Sequence, residues 1–101
     1  MKIIFLTTLL FTFSFSNDIK ENFSGAHLYN NCKPCHGKNA EKKVFSSSQA
    51  IGGWSAQRIV ESIKVYKKRN GSTKYEKIMH GQVEKLSDKE IKILADYISR
   101  L

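Results

Sequence analysis

The sequence predicts one small all-α domain, and three observations carry that prediction. Apolar residues recur every three to four positions over several stretches, which is the period of a helix face. No stretch shows the strict alternation of a half-buried strand. Serines at 55 and 87 stand immediately ahead of two of the periodic runs, where a helix N-cap belongs. With 101 residues there is room for a single core.

Residues 1–16 are set apart from that core. Lys2 precedes an apolar run over 3–15 that only small Thr and Ser residues interrupt, and Ser14-Phe15-Ser16 puts small residues at the minus-three and minus-one positions of a cleavage site. This is the pattern of a secretory signal peptide. The run is shorter than the roughly 20 residues of a membrane-spanning helix, so the expectation is a cleaved leader, a domain over 17–101 and no integral membrane segment after cleavage. About 85 residues then remain, near the size at which a protein core alone is only marginally stable.

Taken in order, the first helix is expected over 18–31, with Ile19, Phe23, Ala26 and Leu28 or Tyr29 on one side. Gly25 interrupts it at a cost of about 1 kcal/mol relative to Ala, which implies either a later start capped by Ser24 or a close crossing by another helix. Pro34 disfavours helical geometry at Lys33, so the helix should end and turn there, and Gly37 lets the chain leave. Residues 38–54 read as a loop, with Glu41-Lys42-Lys43, a Ser46-Ser47-Ser48 run and Gly52-Gly53. Its apolar members Val44, Phe45, Ile51 and Trp54 are too irregularly spaced for an amphipathic helix and require a surface to cover.

Ser55 caps a second helix running to about Lys68, with Ile59, Val60, Ile63 and Tyr66 as its stripe and Lys64, Lys67, Lys68 and Arg69 off it. Asn70-Gly71 ends it. A short helix over 73–80 follows, carrying Tyr75, Ile78 and Met79. In the last helix Ser87-Asp88-Lys89-Glu90 forms a capping box, Leu86 and Ile91 can staple across it, and Ile91, Leu94, Ala95 and Ile98 repeat at helical spacing.

The chemistry is concentrated in Cys32-Lys33-Pro34-Cys35-His36, which reads as a c-type haem attachment site. Two thiols separated by two residues can add to the two vinyl groups on one porphyrin edge, and the adjoining His is carried under the iron. A structural zinc needs four ligands, and beyond this pair the chain has no cysteine and only His27 and His80 as further histidines. A thioredoxin-like pair belongs after a strand, for which there is no pattern. A simple disulfide stays open as the alternative, with nothing else in the chain to support it. Export agrees with haem attachment, which takes place outside the cytoplasm, and a porphyrin would enlarge a core that is otherwise marginal. The haem-free chain is therefore expected to be largely unfolded.

Removing Lys2 leaves 16 Lys and Arg against 9 Asp and Glu, a formal charge of +7. For an exported protein this argues against nucleic acid and for the acidic docking surface of a partner, since complementary charge speeds and orients encounter. The alternative for any individual lysine is the solvated face of a helix. The sixth iron position falls to Met79, the single Met beyond the leader, because a thioether favours reduced iron. The competing role for a lone Met is core filler. His80 should then point away from the ring, and His27 belongs on the first helix's surface. Trp54 is either an ordinary core tryptophan or an N–H donor to a haem propionate. No Arg and His constellation suited to handling bound oxygen is visible, so a small peroxidase or a gas sensor is disfavoured.

With these residues in view, the chain resembles the small class I cytochromes c of the bacterial periplasmic kind. The resemblance spans nearly all of 17–101. It rests on Gly25 and Tyr29 ahead of the Cys-x-x-Cys-His-Gly run, on Ile51-Gly52-Gly53-Trp54, on Tyr75 to Met79, and on Leu86 to Ile91 with Leu94 to Ile98. It implies a fold of about four short helices around one haem, with the first and last helices crossing at Gly25 beside Tyr29 and Tyr97. It implies haem c linked through Cys32 and Cys35, with His36 and Met79 as axial ligands. The function implied is that of a monomeric, periplasmic, single-electron carrier in a respiratory chain, not an enzyme. Donors in the family are quinol-cytochrome c oxidoreductases, and acceptors are terminal oxidases or cytochrome c peroxidases. A haem sensor, or an electron-transfer subunit of a larger membrane complex, is the alternative.

Overall fold

Helices alone make up the regular structure of the described residues, which are 25–44 and 49–101 of a computed structural model. In chain order they are α1 over residues 25–29, α2 Lys33–His36, α3 Ala56–Lys68, α4 Lys74–Val83 and α5 Asp88–Ser99. The expected leader, the front of the first helix and residues 45–48, including Phe45, lie outside the described residues.

Helix α5 is the centre of the core because its periodicity leaves one side wholly apolar. Ile91, Leu94, Ala95 and Ile98 are all buried. Its start is specified by the Ser87 capping box: the Ser87 side chain accepts from the Glu90 N–H, and the Glu90 carboxylate accepts from the Ser87 N–H. Leu86 at N′ and Ile91 at N4 both pack in the core cluster, as a hydrophobic staple requires. Helix α3 lies against α5 and α4, burying Ile59 and Ile63 with Val60 and Tyr66 at the margin. Ser55 caps α3 by accepting from the Arg58 N–H.

Gly25 is the close-approach point between α1 and α5. A Cβ there would stand 2.7 Å from the Tyr97 Cβ and 3.3 Å from the Ile93 carbonyl oxygen, so no larger residue fits without moving backbone. Tyr29 and Tyr97 flank the crossing, their ring centroids 5.7 Å apart at 48°. Tyr29 is fully buried.

The structure departs from the sequence reading at three places. The helix does not run into the cysteine motif and stop at Lys33. It ends at residue 29, and the motif begins a helix of its own, α2, with Pro34 in the first turn. Proline suits that position, since its missing N–H has no intrahelical partner there and its φ is already helical. This turn brings the helix count among the described residues to five. Helix α4 continues three residues beyond His80, to Val83, which is buried; the exposed Gly81 within it meets nothing, so it does not break the helix. Lys67 is not a freely solvated lysine: it is half-buried and donates to the Leu86 carbonyl oxygen, tying α3 to the turn before α5.

Candidate functional site

The site is built on the single turn of α2. The Cys32 N–H bonds the Tyr29 carbonyl at 2.8 Å, and the Cys35 and His36 N–H groups bond the Cys32 carbonyl at 3.2 and 2.9 Å. Positions three and four apart share one side of a helical turn. Cys32, Cys35 and His36 are therefore brought to the same side, which is the mechanical reason for their spacing. The turn is closed by Gly37, whose N–H bonds the Lys33 carbonyl at 2.8 Å and whose φ of 89° suits glycine. A Cβ at this position would fall 2.6 Å from the Glu41 carboxylate. Behind the turn, the Tyr29 hydroxyl donates to the Gly37 carbonyl and fixes the motif against the α1–α5 crossing.

Burial sets the electrostatics of these groups. It pushes the half-buried Cys32 thiol up to about 11, with the neighbouring Cys35 adding to the rise. Such a thiol is protonated at neutral pH and is a poor redox nucleophile. Both cysteines are free, so no disulfide joins them in the structure. Burial also lowers the pKa of His36, which favours the neutral imidazole that metal ligation requires. The His36 Nδ1 atom is buried with no hydrogen-bond partner among the described residues. A buried imidazole nitrogen without a partner calls for an explanation. An imidazole whose pKa burial lowers, one residue beyond two free thiols on one turn, is a donor set that a porphyrin iron would fit. Among the described residues no group of three or more His, Cys, Asp and Glu side chains is placed to hold a bare metal ion.

After α2 the chain folds back on itself. The Lys42 N–H bonds the His36 carbonyl at 3.0 Å, and the Gly52 N–H bonds the Ala40 carbonyl at 2.8 Å. Ile51 and Trp54 then reach the core cluster. Met79 packs against the same cluster from α4, half-buried, and so does Cys32. Cys32, Trp54 and Met79, from three separate segments, are thus brought to one core. The match to the family comes at this point: residues 24–101 align to the family Cytochrome c.

The chain belongs to the cytochrome c family. It is 32% identical over 77 residues to a cytochrome c-553 of Nitratidesulfovibrio vulgaris (strain DSM 19637 / Miyazaki F), covering 76% of each chain. It is 38% identical over 74 residues to a cytochrome c-553 of Helicobacter pylori (strain J99 / ATCC 700824), covering 73% of this chain and 74% of that one. Membership in the cytochrome c family implies a covalently bound haem c and an electron-carrying role with redox proteins as partners. Among the described residues of this cytochrome no helix is long and apolar enough to cross a membrane.

Four contacts around the site were not read from the sequence. The Arg58 guanidinium lies 3.5 Å from the Trp54 ring centroid; the four-residue spacing across a capped helix start was a usable signal for it. Ala40 is buried with φ of 55° and anchors the returning loop, and an alanine gives no hint of such a conformation. Glu41 accepts from the Asn39 N–H at 2.7 Å, and backbone N–H donors hold its carboxyl below the usual range. His80, on the residue after Met79, places Nδ1 at 2.8 Å from the Tyr66 carbonyl oxygen and Nε2 at 3.1 Å from the Glu84 carboxylate. His27 is exposed.

Proposed function

We propose that the chain is a periplasmic monohaem carrier that passes single electrons between respiratory proteins. Cys32 and Cys35 hold the porphyrin through thioether links, and His36 and Met79 are the axial ligands. The observation that carries the reading is the half-buried His36 imidazole, its pKa lowered by burial and its buried Nδ1 atom without a hydrogen-bond partner among the described residues, on the same helical turn as two free cysteines. When bound, haem c supplies an iron that cycles between ferric and ferrous. The chain's own contribution is to hold ligands in place with little rearrangement. The α2 turn is closed on both sides by Tyr29 and Gly37, and Met79 sits on a capped helix. Trp54, with the Arg58 guanidinium stacked on it, offers an indole N–H for a propionate.

Residues 1–16 are read as the export signal. With a formal charge of +7 once Lys2 is removed with that signal, the partners that fit are acidic faces of a quinol-cytochrome c oxidoreductase as donor and of a terminal oxidase or cytochrome c peroxidase as acceptor. The carrier role, rather than an enzyme's, is supported by the pairing of His36 with a thioether. Met79→Ala tests this directly: the oxidised optical spectrum should lose its sulfur-to-iron band and the reduction potential should fall. An unchanged spectrum removes Met79 from the iron. Rapid stoichiometric binding of carbon monoxide by the reduced wild-type protein would point to an open sixth position and away from a carrier.

A further inference from the structure

We infer that His80 is a positioning residue for Met79: its imidazole closes the open end of α3 and thereby fixes the rotation of α4 that keeps the Met79 thioether on the core side. This rests on the reading of Met79 as the sixth iron ligand.

The argument begins at the end of α3. The Arg69 N–H bonds the Val65 carbonyl at 3.1 Å, but Arg69 itself leaves the helix with φ of −109° and ψ of 119°. The chain beyond it no longer follows the helix, so the Tyr66 carbonyl loses the donor that residue 70 would have supplied and belongs to the open end of the helix. His80 Nδ1 stands 2.8 Å from that oxygen. Because a carbonyl can only accept, Nδ1 carries the proton and donates. A histidine at a helix C-terminus satisfies a free carbonyl and complements the dipole, and here it is supplied by a different helix. Nε2 lies 3.1 Å from the Glu84 carboxylate, one turn further along α4. The Nδ1 bond holds the imidazole in either charge state, the Nε2 contact becomes an ion pair only when the ring is protonated, and 19% of the side chain is exposed.

Successive residues on a helix differ by about 100° in direction. With His80 fixed on α3, Met79 on the adjoining position has its direction set, and it packs on the core. The next position is Gly81, where even an added Cβ would meet nothing, so it contributes no hold of its own. A second polar tie from α3, Lys67 Nζ to the Leu86 carbonyl, falls beyond the end of α4. It secures the turn into α5 rather than the rotation of α4.

The test is imidazole binding to the oxidised holoprotein, which reads how readily Met79 gives up the iron. His80→Phe, which keeps bulk and loses the donor, should raise imidazole affinity about tenfold, the size of one net hydrogen bond, and weaken the sulfur-to-iron band. His80→Asn, whose amide N–H lies where Nδ1–H does, should stay near wild type, whereas His80→Gln, whose amide lies where Nε2 does, should bind imidazole like His80→Phe. The Asn and Gln pair poses the same question should the Phe variant fail to fold. Lys67→Met should lower the melting temperature without moving imidazole affinity. Wild-type affinity in both His80→Phe and His80→Gln, or an equal gain in Lys67→Met, would overturn the positioning role. Met79→Ala separates the two readings. If it binds imidazole more tightly than wild type while the His80 variants do not, the positioning role fails alone. If it binds no more tightly than wild type, the ligand assignment fails and this inference with it.

Discussion

Helix α5 and the residues 37–44 and 49–55 are held against one core, yet by different means. Every demand that α5 makes is met within the chain. Its first N–H groups are served by the Ser87 and Glu90 box, its apolar side is covered by α3, and Ile91 and Ala95 have no exposure at all. Residues 37–44 and 49–55 and the α2 turn before them are held by a handful of backbone bonds, by the Tyr29 hydroxyl, by the buried Ala40 and by Ile51 and Trp54 at the margin of the cluster. The unpartnered polar group, His36 Nδ1, is on this side. Large apolar groups remain exposed in both halves, Tyr75 and Ile78 at 45% on the helix that carries Met79 and Val65 at 48% on α3. The comparison teaches that half of this small protein is specified by its own side chains, while the other half is shaped for a surface the polypeptide does not supply.

Removing that surface is the strongest way to test the contrast. A Cys32→Ser, Cys35→Ser chain, unable to form thioether links, should lose cooperative thermal melting and most of its helical circular dichroism, because a core of this size is marginal alone and the cofactor acts as a ligand of the folded state only. A sharp melting transition in the haem-free chain would show that the α3–α5 half is self-sufficient and confine the dependence to 30–55. Within the holoprotein, Ile91→Ala removes a fully buried side chain from the self-completed half and should cost about 2 to 5 kcal/mol in denaturant unfolding. Ile51→Ala, at the margin, should cost less than half as much; equal losses would erase the distinction.

The same division governs what could be read in the sequence. Helix α5 and its box, the Ser55 cap and the stripe of α3 were legible because each is a local pattern whose residues lie within about two turns of one another. The Gly25 crossing was legible too, since a glycine inside a periodic run has few other uses. The geometry of α2 was not, because Pro34 is compatible both with ending a helix and with beginning one, and only the chain direction at residues 30–32 decides between them. The contacts of His80 and Lys67 were hidden for another reason. Both are to backbone carbonyls of distant residues, Tyr66 and Leu86, and an acceptor that every residue possesses leaves no mark in a sequence. Likewise, the three-residue motif on α2 announces its cofactor, whereas the residues that position Met79 do not.

Tyr29 joins the two halves, and its titration offers a smaller test. With Cys32 as a free thiol, burial foremost and the Cys32 charge next push its phenol up to about 12 from an ordinary value of 10, and burial continues to raise it once Cys32 is a thioether. The folded protein keeps this proton where the unfolded chain has lost it, so the stabilisation is complete below pH 10 and declines as the pH rises toward 12. Two pKa units at about 1.4 kcal/mol each set an upper bound of about 3 kcal/mol on the loss, reduced by solvent screening and by the uncharged Cys32 thioether. Since lysines titrate in the same range, the informative measurement is the difference in unfolding free energy between wild type and Tyr29→Phe from pH 9 to 12. That difference should shrink as the pH rises. A constant difference would mean that the hydroxyl bonded to Gly37 is no part of the junction's stability.

The smallest expected effect compares two helix starts, one in each region. At α5, Ser87 Oγ accepts from the Glu90 N–H at 3.1 Å; at α4, Thr73 Oγ1 accepts from the Glu76 N–H at 3.1 Å. Ser87→Ala and Thr73→Ala should each cost about 1 kcal/mol. Both glutamates have their carboxyls held below the usual range, foremost by backbone N–H donors, at Ser87 for Glu90 and at Ser72 for Glu76. Their contributions are therefore present above the ordinary carboxylate pKa and are lost as the pH falls through the lowered folded values. Equal costs in stability need not mean equal consequences at the iron. Helix α4 carries Met79 and α5 does not, so Thr73→Ala should also weaken the sulfur-to-iron band on warming, at temperatures where Ser87→Ala leaves it unchanged. If the band fades in step with global unfolding in both variants, α4 has no independent freedom, and the two halves melt as one.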